Sequence, residues 1–274
     1  MALTTNPVLR GDTFTTQSTG PFVGGYDDGA PPSPLGEAAN PRAMTINGVM
    51  AKGAILLLLM SSTFLYAWDK VVQGDIGSAG AWMLLGGIGG FIASLVISFK
   101  PHVAPFVAPI FALLEGLLLG AISAIYETQL SAPGGAAAGF DGIVFQAVLG
   151  TLGVFTSMLL LYRSRLIRVT QRFRAIVTVA MLGVVVTYLL TFVLSLVGLS
   201  VPLIHDSGPI GIGFSLLVIG IASMMLLVDF DTIERGVATG APKYMEWYGA
   251  FALLVTIVWI YLEMLRLLSK LRSN

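Results

Sequence analysis

Residues 103–126 read VAPFVAPIFALLEGLLLGAISAIY, twenty-four residues with a single charge, Glu115, near the middle. A run of that length covers the ~20 residues an α-helix needs to cross a bilayer. It is continuously apolar rather than alternating, which marks a spanning helix and not a barrel strand. Six further runs share its character, at about 50–70, 78–99, 142–162, 175–198, 208–228 and 246–268. The first and last hold only 16 residues between charges, 53–68 and 247–262. Both lengthen if Lys52, Lys70 and Arg266 lay their stems along the apolar layer and keep their charges at its edge. Trp68, Tyr126, Tyr162 and Trp247 fall where aromatic rings meet the interface.

The rest of the chain agrees. Of 274 residues, 55% are hydrophobic and 11% charged, against roughly 25% charged in a soluble domain, and the mean hydropathy is +0.86. Lys+Arg and Asp+Glu both number 15, and no extended basic face is evident, so nucleic-acid binding is not expected. The absence of cysteine excludes disulfides and thiolate metal sites. The expected fold is all-α: a polytopic membrane protein of seven transmembrane helices forming one domain over 47–274. Residues 1–46 hold six of the thirteen prolines and six glycines without periodicity, and read as a disordered tail. The opening MALTTNPVLR has no apolar core behind a basic start, unlike a signal peptide.

Basic residues set the orientation. With the N-terminus in the cytoplasm, the segments on that side carry eleven Lys and Arg, including Arg163, Arg165, Arg168, Arg172 and Arg174, against Lys70 alone outside. The five clustered arginines suit anchoring at an anionic leaflet. Arg266, Lys270 and Arg272 lie outside after seven full crossings and inside if the last helix is re-entrant; the segment is able to span, so seven crossings are expected. The outer connections carry Asp69, Asp75, Glu127, Asp141 and Asp206, an acidic mouth that concentrates cations, subject to salt screening. Gly86-Gly87-Ile88-Gly89-Gly90 and Gly116-x-x-x-Gly120 predict close helix approach within the bundle rather than a dimer seam.

An ionisable residue inside a span is expensive and is a functional candidate by default. Glu115 has eleven or more uncharged residues on each side. It is either protonated and bonded to a neighbouring helix, or a proton- or cation-responsive group. Asp229 and Asp231 lie within Leu226–Gly236 at the expected cytoplasmic end of span six. Two residues on a helix are ~200° apart, so one carboxylate faces the bundle while the other meets water. At a helix C-terminus both would oppose the macrodipole. Glu246 opens span seven, where an acid suits the positive helix end. Glu263, three residues before Arg266, reads as an interfacial ion pair.

Enzyme chemistry lacks partners. His102 and His205 fall in connections, without the further ligands a metal site needs. Gly213-Phe214-Ser215 has the look of a serine-protease turn, but no span contains a histidine. An intramembrane aspartyl protease needs two facing aspartates, and span seven has none. No enzymatic activity and no cofactor are expected.

The seven segments, Glu115-Gly116-x-x-x-Gly120 and the aspartate-bearing end of span six resemble the transmembrane Bax inhibitor motif family, which comprises Bax inhibitor-1 and its bacterial relatives. Asp229 with Ile233 resembles that family's Asp-x-x-x-Ile pattern, and Phe230-Asp231-Thr232 its Phe-Asp-Thr variant. Asn6-Pro7-Val8, Pro242-Lys243, Glu246-Trp247-Tyr248 and Tyr261-Leu262-Glu263-x-Leu265-Arg266-Leu267-Leu268 look like a bacterial branch with a long N-terminal tail. The resemblance covers about 50–274. It implies a central last helix, residence in a bacterial inner membrane, and a pH-sensitive calcium leak serving ion homeostasis and stress response. It also implies an aspartate on each of spans six and seven, sharing a proton that latches the helices and driven apart when it is lost. Here the matching span-seven position falls near Leu253–Val255, all apolar, and Glu263 fits the family's Tyr-Leu-Asp word only about two turns further on. The expected sensing or ion-pathway residues are Asp229, Asp231 and Glu115, with Glu246 and Glu263 behind them. The expected partners are the lipid bilayer, protons, and Ca²⁺ held weakly and transiently through oxygen ligands. The alternative is a non-conducting interaction protein that modulates a membrane protease or a stress pathway.

Overall fold

The structure, a computed structural model, describes residues 43–130, 142–198 and 208–273. Most of the expected tail, with Asn6-Pro7-Val8, lies outside the described residues, as do Asp141, His205 and Asp206. Seven helices long and apolar enough to cross a membrane follow in order: α1 Ile46–Val72, α2 Ile76–Phe99, α3 Ala104–Leu130, α4 Ile143–Arg163, α5 Gln171–Leu196, α6 Pro209–Ala238 and α7 Met245–Arg272. They match the seven apolar runs to within a few residues, with one exception. α6 does not stop at 228 but continues to Ala238, with Phe230 and Ile233 still buried and Asp231 and Arg235 paired one turn apart. The aspartates therefore sit inside a helix rather than at its C-terminus, and the expected conflict with the macrodipole does not arise.

Side-chain caps explain where several helices begin. Thr45 Oγ1 accepts from Gly48 N at 3.0 Å and opens α1, and Thr170 Oγ1 accepts from Phe173 N at 3.1 Å and opens α5. α4 starts at Gly142, which has no capping side chain. Its cap comes from another helix: Glu127 Oε2 accepts from Val144 N at 3.2 Å. Glu127 is thus a buried acid in the last turns of α3, not a member of an exposed outer mouth. At the other face, Gly240 takes a left-handed φ of 67°, and the turn after α6 closes with Ala241 N donating to Gly236 O at 2.9 Å. Met44 N donates to Ala241 O at 2.7 Å, which ties the chain ahead of α1 to the α6–α7 turn.

α7 is the central element, packed against α1, α3, α4 and α6. It is one unbroken helix of 28 residues, about 42 Å at 1.5 Å per residue, enough to cross a ~30 Å core. Its first turn meets the start of α1 through Glu246 and Lys52, and its last turn meets the start of α6 through Lys270 and Gly211. The helix is long and apolar enough for a full crossing and has no re-entrant turn. α5 lies at the periphery, packed chiefly on α6.

The glycines act inside the bundle, as their spacing predicts. A Cβ on Gly116 would overlap the Met60 carbonyl oxygen and Thr63 of α1, and one on Gly120 would overlap the Phe64 carbonyl. Gly86 similarly faces Leu114 and Leu118 of α3, whereas Gly87 faces open space. Backbone cannot yield as a side-chain tip can, so Gly116→Ala is expected to cost about 1–3 kcal/mol by overpacking, with Gly87→Ala close to neutral. Unfolding of both variants in mixed micelles measures the difference, and equal stabilities would remove close α1–α3 approach as the reason for these glycines.

Candidate functional site

The charged residues of the spans separate into different helix seams. Asp229 is buried between α6 and α7, where Thr256 Oγ1 donates to Asp229 Oδ2 at 2.6 Å. The partner stands one residue beyond the Leu253–Val255 stretch expected to be apolar, so the position opposite Asp229 is polar after all. It offers a hydroxyl and not a second carboxylate. Thr256 Oγ1 also lies 3.3 Å from the Ala252 carbonyl of its own helix, as hydroxyls on helices commonly do. The contact is a buried side-chain hydrogen bond that joins α6 to α7, worth roughly 0.5–1.5 kcal/mol to a neutral carboxyl and roughly 1.5–3 kcal/mol to an ionised one.

Asp231 points elsewhere, as the ~200° separation requires. It does not simply meet water: its side chain is 15% exposed, and Oδ2 receives Arg174 Nη2 of α5 at 2.5 Å and Arg235 Nε at 2.8 Å. Tyr162 of α4 donates to Glu234 one turn away, and Arg235 Nη2 reaches the Val169 carbonyl at 3.4 Å. This end of α6 thus fastens α4, α5 and their connection.

Glu115 lies on α3 in the α2–α3 seam, its Oε2 only 3.0 Å from where a Cβ on Gly90 would stand. It is 9% exposed, and no hydrogen bond or ion pair among the described residues reaches it. Of the two alternatives for Glu115, the bond to a neighbouring helix is not formed among the described residues; Gly90 makes room for the carboxyl instead.

Glu246 and Glu263 are fully buried and firmly held. Glu246 pairs with Lys52 and with Lys243 at 3.3 Å, and accepts from Thr45 N and Oγ1 at 3.0 and 2.9 Å. Glu263 Oε2 accepts from Tyr188 of α5 at 2.8 Å and from Arg266 at 2.5 Å. Its Oε1 is buried without a partner among the described residues. Lys52 and Arg266 therefore turn inward to carboxylates rather than outward to the membrane edge. Lys270, by its place in the sequence one of three terminal basic residues, is buried and donates to Gly211 O at 2.9 Å and Ser215 Oγ at 3.1 Å. The hydroxyl of Gly213-Phe214-Ser215 is thereby engaged in a clamp between α6 and α7.

No two of the five candidate carboxylates share a hydrogen bond, and no group of three His, Asp or Glu among the described residues could hold a metal ion. Fold and site together define a seven-helix integral membrane protein whose seams carry isolated, individually satisfied or unsatisfied carboxylates. The chain matches the family described as Bax inhibitor 1 like over residues 6–273, nearly its whole length, and it belongs to that family. Neither the curated proteins nor the solved structures compared with it gave a match.

Proposed function

We propose that the chain is a non-enzymatic cation-leak protein of a bacterial inner membrane, with its N-terminus in the cytoplasm, serving ion homeostasis and stress response. Asp229 is its responsive group, and Glu115 a second ion-handling carboxylate. The observation that carries this reading is the Asp229–Thr256 contact, a buried acid held at the α6–α7 seam by one neutral hydroxyl. An ionised carboxylate with so little compensation is completed by a proton or a cation, and hard oxygen ligands suit Ca²⁺. One or two carboxylates at a time give weak, transient binding, which is what passage requires. Because protons and Ca²⁺ compete for the same oxygens, acidification lowers the leak. Asp231, neutralised by Arg174 and Arg235, supports the gate rather than forming it.

Purified protein in vesicles enclosing a calcium dye, scanned over pH, tests this. Asp229→Asn is expected to lower the flux about tenfold, an effect of about 1.4 kcal/mol on a barrier, and Glu115→Gln to lower it less. Wild type leaking no faster than empty vesicles at every pH would favour the second reading, a non-conducting partner of a membrane protease or stress-response protein. The observation on that side is that Asp229 meets the hydroxyl of Thr256, one residue beyond the stretch where the family resemblance implies a second aspartate, and no second carboxylate.

A further inference from the structure

We propose that the groove beside Arg174 and Arg235 is a binding site for an anionic phospholipid. The six arginines 163, 165, 168, 172, 174 and 235 gather where α4 ends, α5 begins and α6 nears its end. Asp231 pairs with two of them, and Glu234, bonded to Tyr162, is the other acid on this stretch of α6, so positive charge is in excess. Arg174 and Arg235 share a single carboxylate oxygen of Asp231, which fixes both guanidiniums and leaves further N–H donors on each. Beside them lies a cavity of about 460 Å³ lined by Gln171, Arg174, Ala175, Thr178, Val179 and Arg235.

The shape of the site continues what its charge begins. Ala175, Thr178, Val179, Leu182 and Val186 follow i, i+3, i+4, i+7 and i+11 spacing along one stripe of α5. Val179, Leu182 and Val186 are all exposed, and the stripe leads from the arginines into the depth of the apolar layer. A phosphodiester at the guanidiniums takes the forked N–H geometry that arginine offers, and an acyl chain follows the stripe. A zwitterionic lipid brings its own cation to the same place and is disfavoured. Free phosphate has the charge without the tail. The occupant that matches both parts is a lipid with net negative charge.

The test is titration of short-chain phosphatidylglycerol, short-chain phosphatidylcholine and inorganic phosphate into the full-length, detergent-solubilised protein. Phosphatidylglycerol is expected to bind tightest. Arg235→Gln is expected to weaken it about fivefold, the worth of one basic residue at an anionic surface. Thr178→Phe fills the exposed groove without changing any charge and is expected to weaken phosphatidylglycerol at least as much, while Arg163→Gln, outside the groove, has little effect. Equal binding of the two lipids overturns the proposal, and so does phosphate binding as well as phosphatidylglycerol. Thr178→Phe binding like wild type also overturns it, because diffuse attraction to the arginines would then suffice. Arg235→Gln and Thr178→Phe perturb different features, so either one decides if the other fails to fold.

Discussion

Replacing Arg266 by methionine is expected to cost about 3–5 kcal/mol of folding free energy, the usual penalty for stranding one member of a buried ion pair. Glu263 has 1% of its side chain exposed, whereas Arg266 keeps 31%, so the two partners are not equivalent. Losing the guanidinium leaves a carboxylate with only the Tyr188 hydroxyl on Oε2 and with Oε1 already unpartnered. The guanidinium also lies 4.7 Å over the Tyr188 ring, a cation–π contact worth a further ~0.5–1 kcal/mol. α5 would lose one of its polar ties to the bundle. Glu263→Leu together with Arg266→Met is expected to restore most of the stability, because two apolar side chains leave no buried charge. Denaturation in mixed micelles measures both. If the single variant loses less than about 1 kcal/mol, or the double variant is worse than the single, the pair is not what holds α5 to α7.

The membrane fold was legible because uninterrupted apolar runs have one physical solution in lipid, a helix that satisfies its own backbone. Hydropathy could not locate the end of α6. Residues 229–238 are polar enough to end a span, yet they stay helical, with Phe230 and Ile233 packed in the core and Asp231 paired with Arg235 one turn on. Hydropathy reports where the apolar layer stops, not where the helix does. Likewise Glu127 looked like a loop acid by its place after an apolar run, while its cap on α4 depends on a contact 17 residues away.

The site was legible only in part. The opposite directions of Asp229 and Asp231 follow from helical geometry alone, so their separation was evident before any neighbour was known. Their partners were not. Thr256 belongs to a span in which a hydroxyl ordinarily bonds its own backbone, and nothing local distinguishes it. A signal did exist: Thr256, Glu263 and Lys270 repeat at seven-residue intervals on α7, two helical turns apart, and each meets a polar group across a helix seam. That stripe would have marked a polar face on the central helix. Glu246 meets Lys52 across 194 residues, a pairing that only the assembled bundle creates.

Thr256→Asp is expected to convert a shallow pH response into a steep one. In the wild type, the Thr256 hydroxyl donates to Asp229 at 2.6 Å, and loss of the Asp229 proton strengthens that bond instead of opposing it. On the proposed function the seam is then expected to stay closed as pH rises, and what varies is the occupancy of one carboxylate. In T256D two carboxylates stand at that distance class. With one shared proton they hold α6 to α7. With none, two like charges ~4 Å apart repel by roughly 4 kcal/mol at an effective dielectric of about 20. That exceeds the roughly 1.5–3 kcal/mol lost with the hydroxyl bond, so the sign of the interaction across the seam reverses as pH rises. Calcium flux from vesicles should then climb at least about tenfold between acidic and alkaline pH, with wild type changing less. Asp229→Asn in the T256D background removes one charge and is expected to flatten the profile again, which separates charge repulsion from damage to packing. A T256D profile parallel to wild type would mean that the α6–α7 seam is not the gate, and would direct attention to Glu115 and the α2–α3 seam.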